Sequence, residues 1–151
     1  MKKITIRVAG LDDVKGLVEL CELHAIYEKS DYVSDGKEEA LKQHLFGEQP
    51  ALFCLVATEE EELVGYATFM KQFSTWDAGF YIYMDCLFLK KAARGFGIGE
   101  KLVDKIKEEG KKMGCNLVQW QTPDFNKRAM KFYERIGASA KSKERYFLEI
   151  G

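Results

Sequence analysis

Proline is scarce, with 2 residues among 151, and no repeat or low-complexity stretch interrupts the sequence. The chain therefore offers no Pro-rich or Gly/Ser-rich linker at which to divide it. Long apolar runs are missing too: no window approaches the roughly 20 consecutive apolar residues that a membrane-spanning helix needs. The opening MKKITIRVAG runs straight into sequence that reads as folded, so no secretory leader and a cytoplasmic location are expected. Histidine is limited to His24 and His44, which have ligand spacing neither to each other nor to a cysteine. The four cysteines, Cys21, Cys54, Cys86 and Cys115, are scattered and include no C-x-x-C pair. They read as reduced, mostly buried thiols, and no metal site is expected. Net charge is nearly absent as well, at -1 with a pI near 6.2, which argues against a nucleic-acid partner.

What remains is the composition of an ordinary globular domain, 46% apolar and 31% charged. The length fits one domain over residues 1–151, large enough to bury about two-thirds of its unfolded surface. The small net charge hides a split. Residues 1–86 carry 16 Asp and Glu against 8 Lys and Arg, a net of -8, and residues 87–151 carry 8 against 15, a net of +7. Two explanations stand: a solvated surface without further meaning, or two ligand zones, one for an anion and one for a cation.

Hydrophobic periodicity predicts the elements. Ile4, Ile6 and Val8 alternate with Thr5 and Arg7, as in a strand with one buried face. After Gly10, Asp12 or Asp13 can accept the first free amides of a helix that runs to about Glu28, with Val14, Leu17, Val18, Cys21 and Ile26 at helical spacing. A short helix follows over 35–46. Strands over 51–58 and 63–73 flank the acidic turn Glu59–Glu62 and form a hairpin. Gly79–Leu89 is a long strand whose near-continuous apolarity suggests the middle of a sheet. A helix over Gly97–Met113, a strand over Asn116–Gln121, a helix to Ile136 and a final strand over Glu144–Ile150 complete the chain. The strand–helix–strand order between Gly79 and Gln121 calls for a parallel pair.

Arg94-Gly95-Phe96-Gly97-Ile98-Gly99 lies between the long strand and the next helix. Glycines let backbone turn sharply and approach a ligand closely, and free amides at a helix start attract phosphate. Arg94, Lys90 and Lys91 add positive charge. A tight strand-to-helix turn is the plain alternative. Spacing rejects three other motifs. A dinucleotide fingerprint and a P-loop both fail at Glu100, and an RNA-recognition strand would continue Phe-Val-x-aromatic where Ile98-Gly99-Glu100-Lys101 stands.

What matches is R-x-x-G-x-G, as Arg94, Gly97 and Gly99, followed by Asn126 and by Phe132-Tyr133-x-x-x-Gly137-Ala138. In these features the chain resembles the GNAT N-acetyltransferase superfamily. It is similar in particular to the group of spermidine/spermine (diamine) and thialysine N-acetyltransferases. With that group it shares Tyr27-Glu28, Phe46-Gly47-Glu48, Cys54-Leu55-Val56-Ala57, and Ser74-Thr75-Trp76 followed by Gly79.

The resemblance implies an α/β (α+β) fold. Its sheet is mixed and mostly antiparallel, with a parallel strand pair splayed around acetyl-CoA and helices on both faces. It implies transfer of acetyl from acetyl-CoA to a primary amine of a small cationic substrate, such as a diamine, polyamine or lysine-like amino acid. A homodimer is implied as well, and no membrane or nucleic-acid partner. The loop Arg94, Gly95, Phe96, Gly97, Ile98 and Gly99 would hold the CoA pyrophosphate, and the backbone of Leu87 and Leu89 the pantetheine arm. Asn126 would help hold CoA, although locally it reads equally as a helix N-cap. Tyr133 would sit beside the CoA sulfur as general acid; without the resemblance it reads as a core aromatic.

Asp85 interrupts an apolar strand, and a carboxylate there is either an ordinary hydrogen-bonded group or the acceptor of the amine's proton. The family usually has Glu at this position, followed by Asp where this chain has Cys86. Tyr27, Glu28, Trp76 and Asp77 are substrate candidates, because aromatic faces and carboxylates suit an alkylammonium. Cys86 as a covalent acyl acceptor lacks a neighbouring His to activate it. Two other functions compete: acetylation of a protein amine, and a non-catalytic acyl-CoA-binding domain.

Overall fold

The computed structural model describes residues 3–151. Met1 and Lys2, which begin the run read against a leader, lie outside the described residues. The chain forms two compact units, one extending to Gln121 and the other spanning Thr122–Gly151. The first holds β1 (Ile4–Val8), a 3-10 turn (Leu11–Asp13), α1 (Val14–Tyr27), α2 (Lys37–Phe46), β2 (Phe53–Glu59) and β3 (Glu62–Ser74). It continues with β4 (Gly79–Leu89), a second 3-10 turn (Lys91–Ala93), α3 (Ile98–Lys112) and β5 (Val118–Gln119). The sheet order is β1-β2-β3-β4-β5. The first three pairings are antiparallel and β4–β5 is parallel, as the helical crossover between those two strands requires. Among the described residues no helix is long and apolar enough to cross a membrane.

Register assigns the two faces. Val56, Tyr66 and Phe88 form one cross-strand row and Cys54, Thr68 and Cys86 the next. Helices α1 and α2 cover this face, where Leu17, Leu20 and Leu45 join Cys54, Val56, Tyr66 and Phe88 in one buried cluster. Helix α3 covers the other face with Ile98, Leu102, Val103, Ile106 and Gly110, all buried and recurring at helical spacing. Each large aliphatic side chain buried this way contributes about 1.5–3 kcal/mol before its ordering cost is subtracted. Gly110 is where α3 comes closest to the sheet, since a Cβ there would lie 2.8 Å from Ile82 Cγ1.

Three expectations change. Asp13 does not cap α1. Its Oδ2 accepts the Gly10 N–H at 2.7 Å and Arg7 at 2.6 Å, and its Oδ1 accepts Arg7 at 2.9 Å, so it fixes the turn from β1 into the helix. The strand expected over Asn116–Gln121 shrinks to Val118–Gln119. The final strand expected over Glu144–Ile150 does not form: residues 138–151 adopt neither helix nor strand, and Tyr146, Phe147, Leu148 and Ile150 are exposed. Alternating apolar residues make a strand only where another strand supplies the hydrogen bonds, and this unit supplies none. Its one regular element is α4 (Lys127–Arg135), capped by Asn126, whose Oδ1 accepts the Ala129 N–H at 3.3 Å.

The hydrogen bond from Arg7, with the Gly10 amide and the guanidinium charge, outweighs burial and holds the Asp13 carboxyl below its ordinary range. A group with a lowered folded-state pKa stabilises the fold above its unfolded value and loses that contribution as pH falls through the folded value. Asp13→Ala is therefore expected to lose about 1–2 kcal/mol at pH 7 in urea unfolding, after allowance for screening of the exposed Arg7. The gap to the native chain should narrow as the pH is lowered through and below the carboxylate range. A gap that stays constant down to pH 3 would refute the assignment.

Candidate active site

Strand β4 holds an extra residue. Thr68 pairs with Cys86 and Phe69 with Met84, which leaves Asp85 as a β-bulge. The bulge changes which residues point where. Before it, Ile82 and Met84 face the α3 layer; after it, Cys86 and Phe88 face the α1 layer. Asp85 itself is exposed. The Ile82 N–H donates to the Leu117 carbonyl at 2.9 Å, on the β5 side, whereas the Lys90 N–H donates to Val64 at 2.8 Å, on the β3 side. Strand alternation then turns the backbone groups of Leu87 and Leu89 away from β3. Among the described residues β5 pairs only with Ile82 and Tyr83, and the stretch Met84–Leu89 has a strand on one side alone. The Leu89 carbonyl accepts the Arg94 Nε–H at 3.0 Å.

Beyond β4 the chain enters α3 through Gly95 (φ 88°) and Gly97 (φ 77°), backbone conformations that L side chains rarely adopt. Gly97 is the N-cap and no side chain caps the helix. Phe96 is exposed, while Ile98 and Gly99 are buried in the first turn. The first amides of α3 have no partner within the helix, and the helix dipole adds to their attraction for an anion. Arg94 rests on two aromatic rings. Its guanidinium carbon lies 4.4 Å from the Tyr27 ring centroid and 5.6 Å from that of Phe88. Arg94 thus lies between β4 and the end of α1.

That end carries a polar network which spacing arguments missed. His24 Nδ1 lies 2.7 Å from the Tyr66 hydroxyl and Nε2 lies 2.8 Å from Glu28 Oε2. The imidazole stacks on Phe88, with centroids 5.0 Å apart and planes 19° apart, and the Tyr27 ring lies 6.1 Å from Phe88. Cys21 and Cys86 pack against the same cluster. Testing the histidines only for metal-ligand spacing overlooked the i,i+4 relation of His24 and Glu28 on one helix face, which was the available signal. Burial pushes the Tyr66 phenol far above its usual range. Burial, helped by the Asp85 charge, pushes the Cys86 thiol up to about 11. A thiol raised this far is protonated at pH 7, which weighs against covalent acyl transfer through it.

The four substrate candidates are not one cluster. Tyr27 and Glu28 meet Phe88, Arg94 and His24 at one end of β4. Trp76 and Asp77 lie in the turn between β3 and β4. There the Ser74 hydroxyl donates to Asp77 Oδ2 at 3.2 Å, the Asp77 N–H donates to Ser74 Oγ at 3.3 Å, and Trp76 is 98% exposed. About 20 Å of strand separates that turn from Asp85. In the second unit Asn126 is buried as the N-cap of α4, and Tyr133 is half-buried with its ring 5.4 Å from Phe132.

Residues 17–138 match the acetyltransferase (GNAT) family. The chain belongs to that family. It is 37% identical over 147 residues to a thialysine N-epsilon-acetyltransferase of Bos taurus, covering 91% of this chain and 85% of the relative. A solved structure described as a transcriptional regulator of Bacillus halodurans superposes with a TM-score of 0.82 at 25% identity, covering 97% of this chain and all of that one. An aminoglycoside N-acetyltransferase in complex with CoA gives a TM-score of 0.83, covering 100% of this chain and 97% of that one; at 13% identity it shows the fold alone. The mixed sheet with its one parallel pair is therefore a GNAT sheet.

Within this GNAT domain, Arg94 joins two elements by stacking and by a carbonyl bond. Lysine keeps the charge but loses both. Arg94→Lys is expected to lower stability by about 1 kcal/mol, read as a lower melting temperature of the unliganded protein. An unchanged melting temperature would mean that only the charge of Arg94 matters.

Proposed function

We propose that the chain transfers the acetyl group of acetyl-CoA to a primary amine of a small cationic molecule, by direct attack within a ternary complex. The amine belongs to a diamine, a polyamine or a lysine-like amino acid. The observation that carries this reading is the bulge that leaves Asp85 exposed on a stretch of β4 with a strand on one side only. An alkylammonium near pKa 10.4 must lose a proton before it can attack, at a cost of about 4.6 kcal/mol at pH 7. Asp85 attracts the cation and accepts that proton. Bound acetyl-CoA supplies the thioester carbonyl that the amine attacks.

The residues present fit this cosubstrate. The uncapped amides of α3 behind Gly95 and Gly97 suit a pyrophosphate. The outward-turned backbone of Leu87 suits an arm rich in amides, and so does that of Leu89, although its carbonyl is shared with Arg94. Tyr133 supplies a proton to the departing thiolate, a role that rests on the family resemblance. Tyr27 and Glu28 face the amine. The name of the bovine relative favours a lysine-like amine, and a carboxylate beside an aromatic ring suits that class. Trp76 and Asp77 join the substrate site only for an amine long enough to reach the turn.

A panel of amines with acetyl-CoA, followed by release of free thiol, tests the proposal. Turnover is expected on small diamines or lysine-like amino acids, with intersecting initial-rate lines. Turnover confined to peptides would replace the substrate class, parallel lines would restore a covalent route, and CoA binding without turnover would make the domain a binding module. Asp85→Asn should lower kcat by about 10²–10⁴-fold with little change in KM for acetyl-CoA. Tyr133→Phe should lower kcat with the amine KM unchanged, and a full rate in that variant removes its role as acid.

A further inference from the structure

We propose that His24 is a positioning residue for the substrate: held by Tyr66 and Phe88, it fixes the Glu28 carboxylate as the seat for a second ammonium on the molecule being acetylated. This rests on the reading that Glu28 faces the amine. Glu28 closes α1, and its Oε2 lies 2.8 Å from His24 Nε2, one turn back on the same helix face. A carboxylate oxygen can only accept, so Nε2 carries the hydrogen of that bond. In the tautomer this selects, Nδ1 accepts the Tyr66 O–H at 2.7 Å. The imidazole lies flat on Phe88, with ring centroids 5.0 Å apart and planes 19° apart. Tyr66 is 2% exposed and the His24 side chain 13%, so the rod that holds Glu28 is anchored in the core. The Glu28 side chain is 33% exposed, and among the described residues its Oε1 makes no hydrogen bond or ion pair.

Each part of this arrangement suits a cation. A carboxylate at a helix C-terminus meets the negative end of the dipole, which disfavours it locally and adds to the pull on an arriving ammonium. A carboxylate ordered before binding also loses less rotamer freedom when the ligand arrives. Released from His24, Glu28 would have a cation at hand in Arg94, whose guanidinium carbon lies 4.4 Å from the ring centroid of the preceding residue, Tyr27. The two make no ion pair among the described residues. By holding Oε2, His24 keeps the carboxylate from closing on that guanidinium and leaves Oε1 for the substrate. Phe88, on which the imidazole rests, stands three residues beyond Asp85 on β4, about 10 Å along the strand. Two carboxylates separated on that scale suit a short chain with an amine at each end. Asp85 takes the amine that reacts and Glu28 takes the other. His24 and Tyr66 touch no substrate atom and act only through Glu28.

The test compares a five-carbon diamine, its amines spaced as in lysine, with the five-carbon monoamine. The native chain should favour the diamine by about 10-fold or more in kcat/KM, beyond the statistical advantage of its two equivalent ends. His24→Leu fills the space on Phe88 without either hydrogen bond. It should remove most of that preference by raising the diamine KM about 10-fold, with kcat and the KM for acetyl-CoA near native. His24→Gln offers an N–H to Glu28 and a carbonyl to Tyr66, and should keep the preference. A packing role would reverse that order, since leucine suits Phe88 better than glutamine does, and the reversed order overturns the proposal. In a Glu28→Gln background His24→Leu should add no further loss, because its effect passes through the carboxylate; losses that multiply overturn it too. So does a native diamine KM in His24→Leu, or an equal loss on both amines. Should His24→Leu fail to melt cooperatively, Tyr66→Phe carries the test, with a diamine KM raised about threefold and the monoamine unmoved. No change there overturns the row. Turnover of neither amine by the native chain refutes acetyl transfer to small amines and the seat with it, whereas turnover of both with equal kcat/KM refutes the seat alone.

Discussion

Between Met84 and Cys86, β4 holds one residue more than the β3 segment it pairs with, and both layers of the molecule depend on that mismatch. In a regular strand Ile82, Met84, Cys86 and Phe88 would all point to one face. The odd-numbered residues Tyr83, Asp85 and Leu87 would then point to the other face. With the bulge, the first two close the α3 side and the last two close the α1 side. A single inserted position moves Cys86 and Phe88 from the α3 side to the α1 side. The inserted residue is the one that neither core can use, so it is free to be a carboxylate. Asp85 is exposed for the same reason that the cores are filled.

Arg94 extends this constraint to the next element. Its bond to the Leu89 carbonyl and its contact with the Tyr27 and Phe88 rings tie the end of β4 to the end of α1. The glycine loop therefore starts from a fixed point, and the amides of α3 are presented at a set place relative to Tyr27 and Glu28. The charge split survives the local pairing of charges. Glu28 is bonded to His24 and Asp77 to Ser74, while Glu62 pairs with Lys90 across the boundary between the two halves. On α3, Lys105 pairs with Glu108 and Glu109, and Lys112 with Glu109. Of these contacts only Glu62–Lys90 offsets charge between the halves; the pairs on α3 lie within the basic half and leave its excess unchanged, and exposed pairs of this kind are worth about 0–1 kcal/mol each.

How far the sequence could be read follows from where each signal resides. Strand β4 matched its expected span, Gly79–Leu89, because burial on both faces leaves an apolar run with a glycine at its start. The bulge inside it was invisible for the same reason: where both faces are apolar, a change of face leaves no trace in the pattern. The glycines of the loop were legible because φ near +80° demands them. The aim of Arg94 was not, since a guanidinium settles on whichever faces the fold brings to it, and Tyr27 is remote in sequence. Motif resemblance grouped Trp76 and Asp77 with Tyr27 and Glu28, but the length of the hairpin keeps them apart. The strand expected over Glu144–Ile150 had the right residues and lacked only a partner, which no local pattern reports.

The polar row on the α1 side is costly by any account of packing alone. A buried hydroxyl or imidazole left without partners loses about 1–3 kcal/mol, and an apolar replacement of similar shape avoids that cost. Phenylalanine at 66 and leucine at 24 would fill the same space against Phe88 without any hydrogen bond to arrange. The native arrangement works only because each group satisfies the next and the row ends on Glu28, where water takes up the remaining charge. Such a chain needs every link at once: without Glu28 the imidazole loses its orientation, and without His24 the Tyr66 hydroxyl loses its closest acceptor. Cohesion of that kind fixes the end of α1 against β3 and β4, next to the point where Arg94 rests on Tyr27 and Phe88.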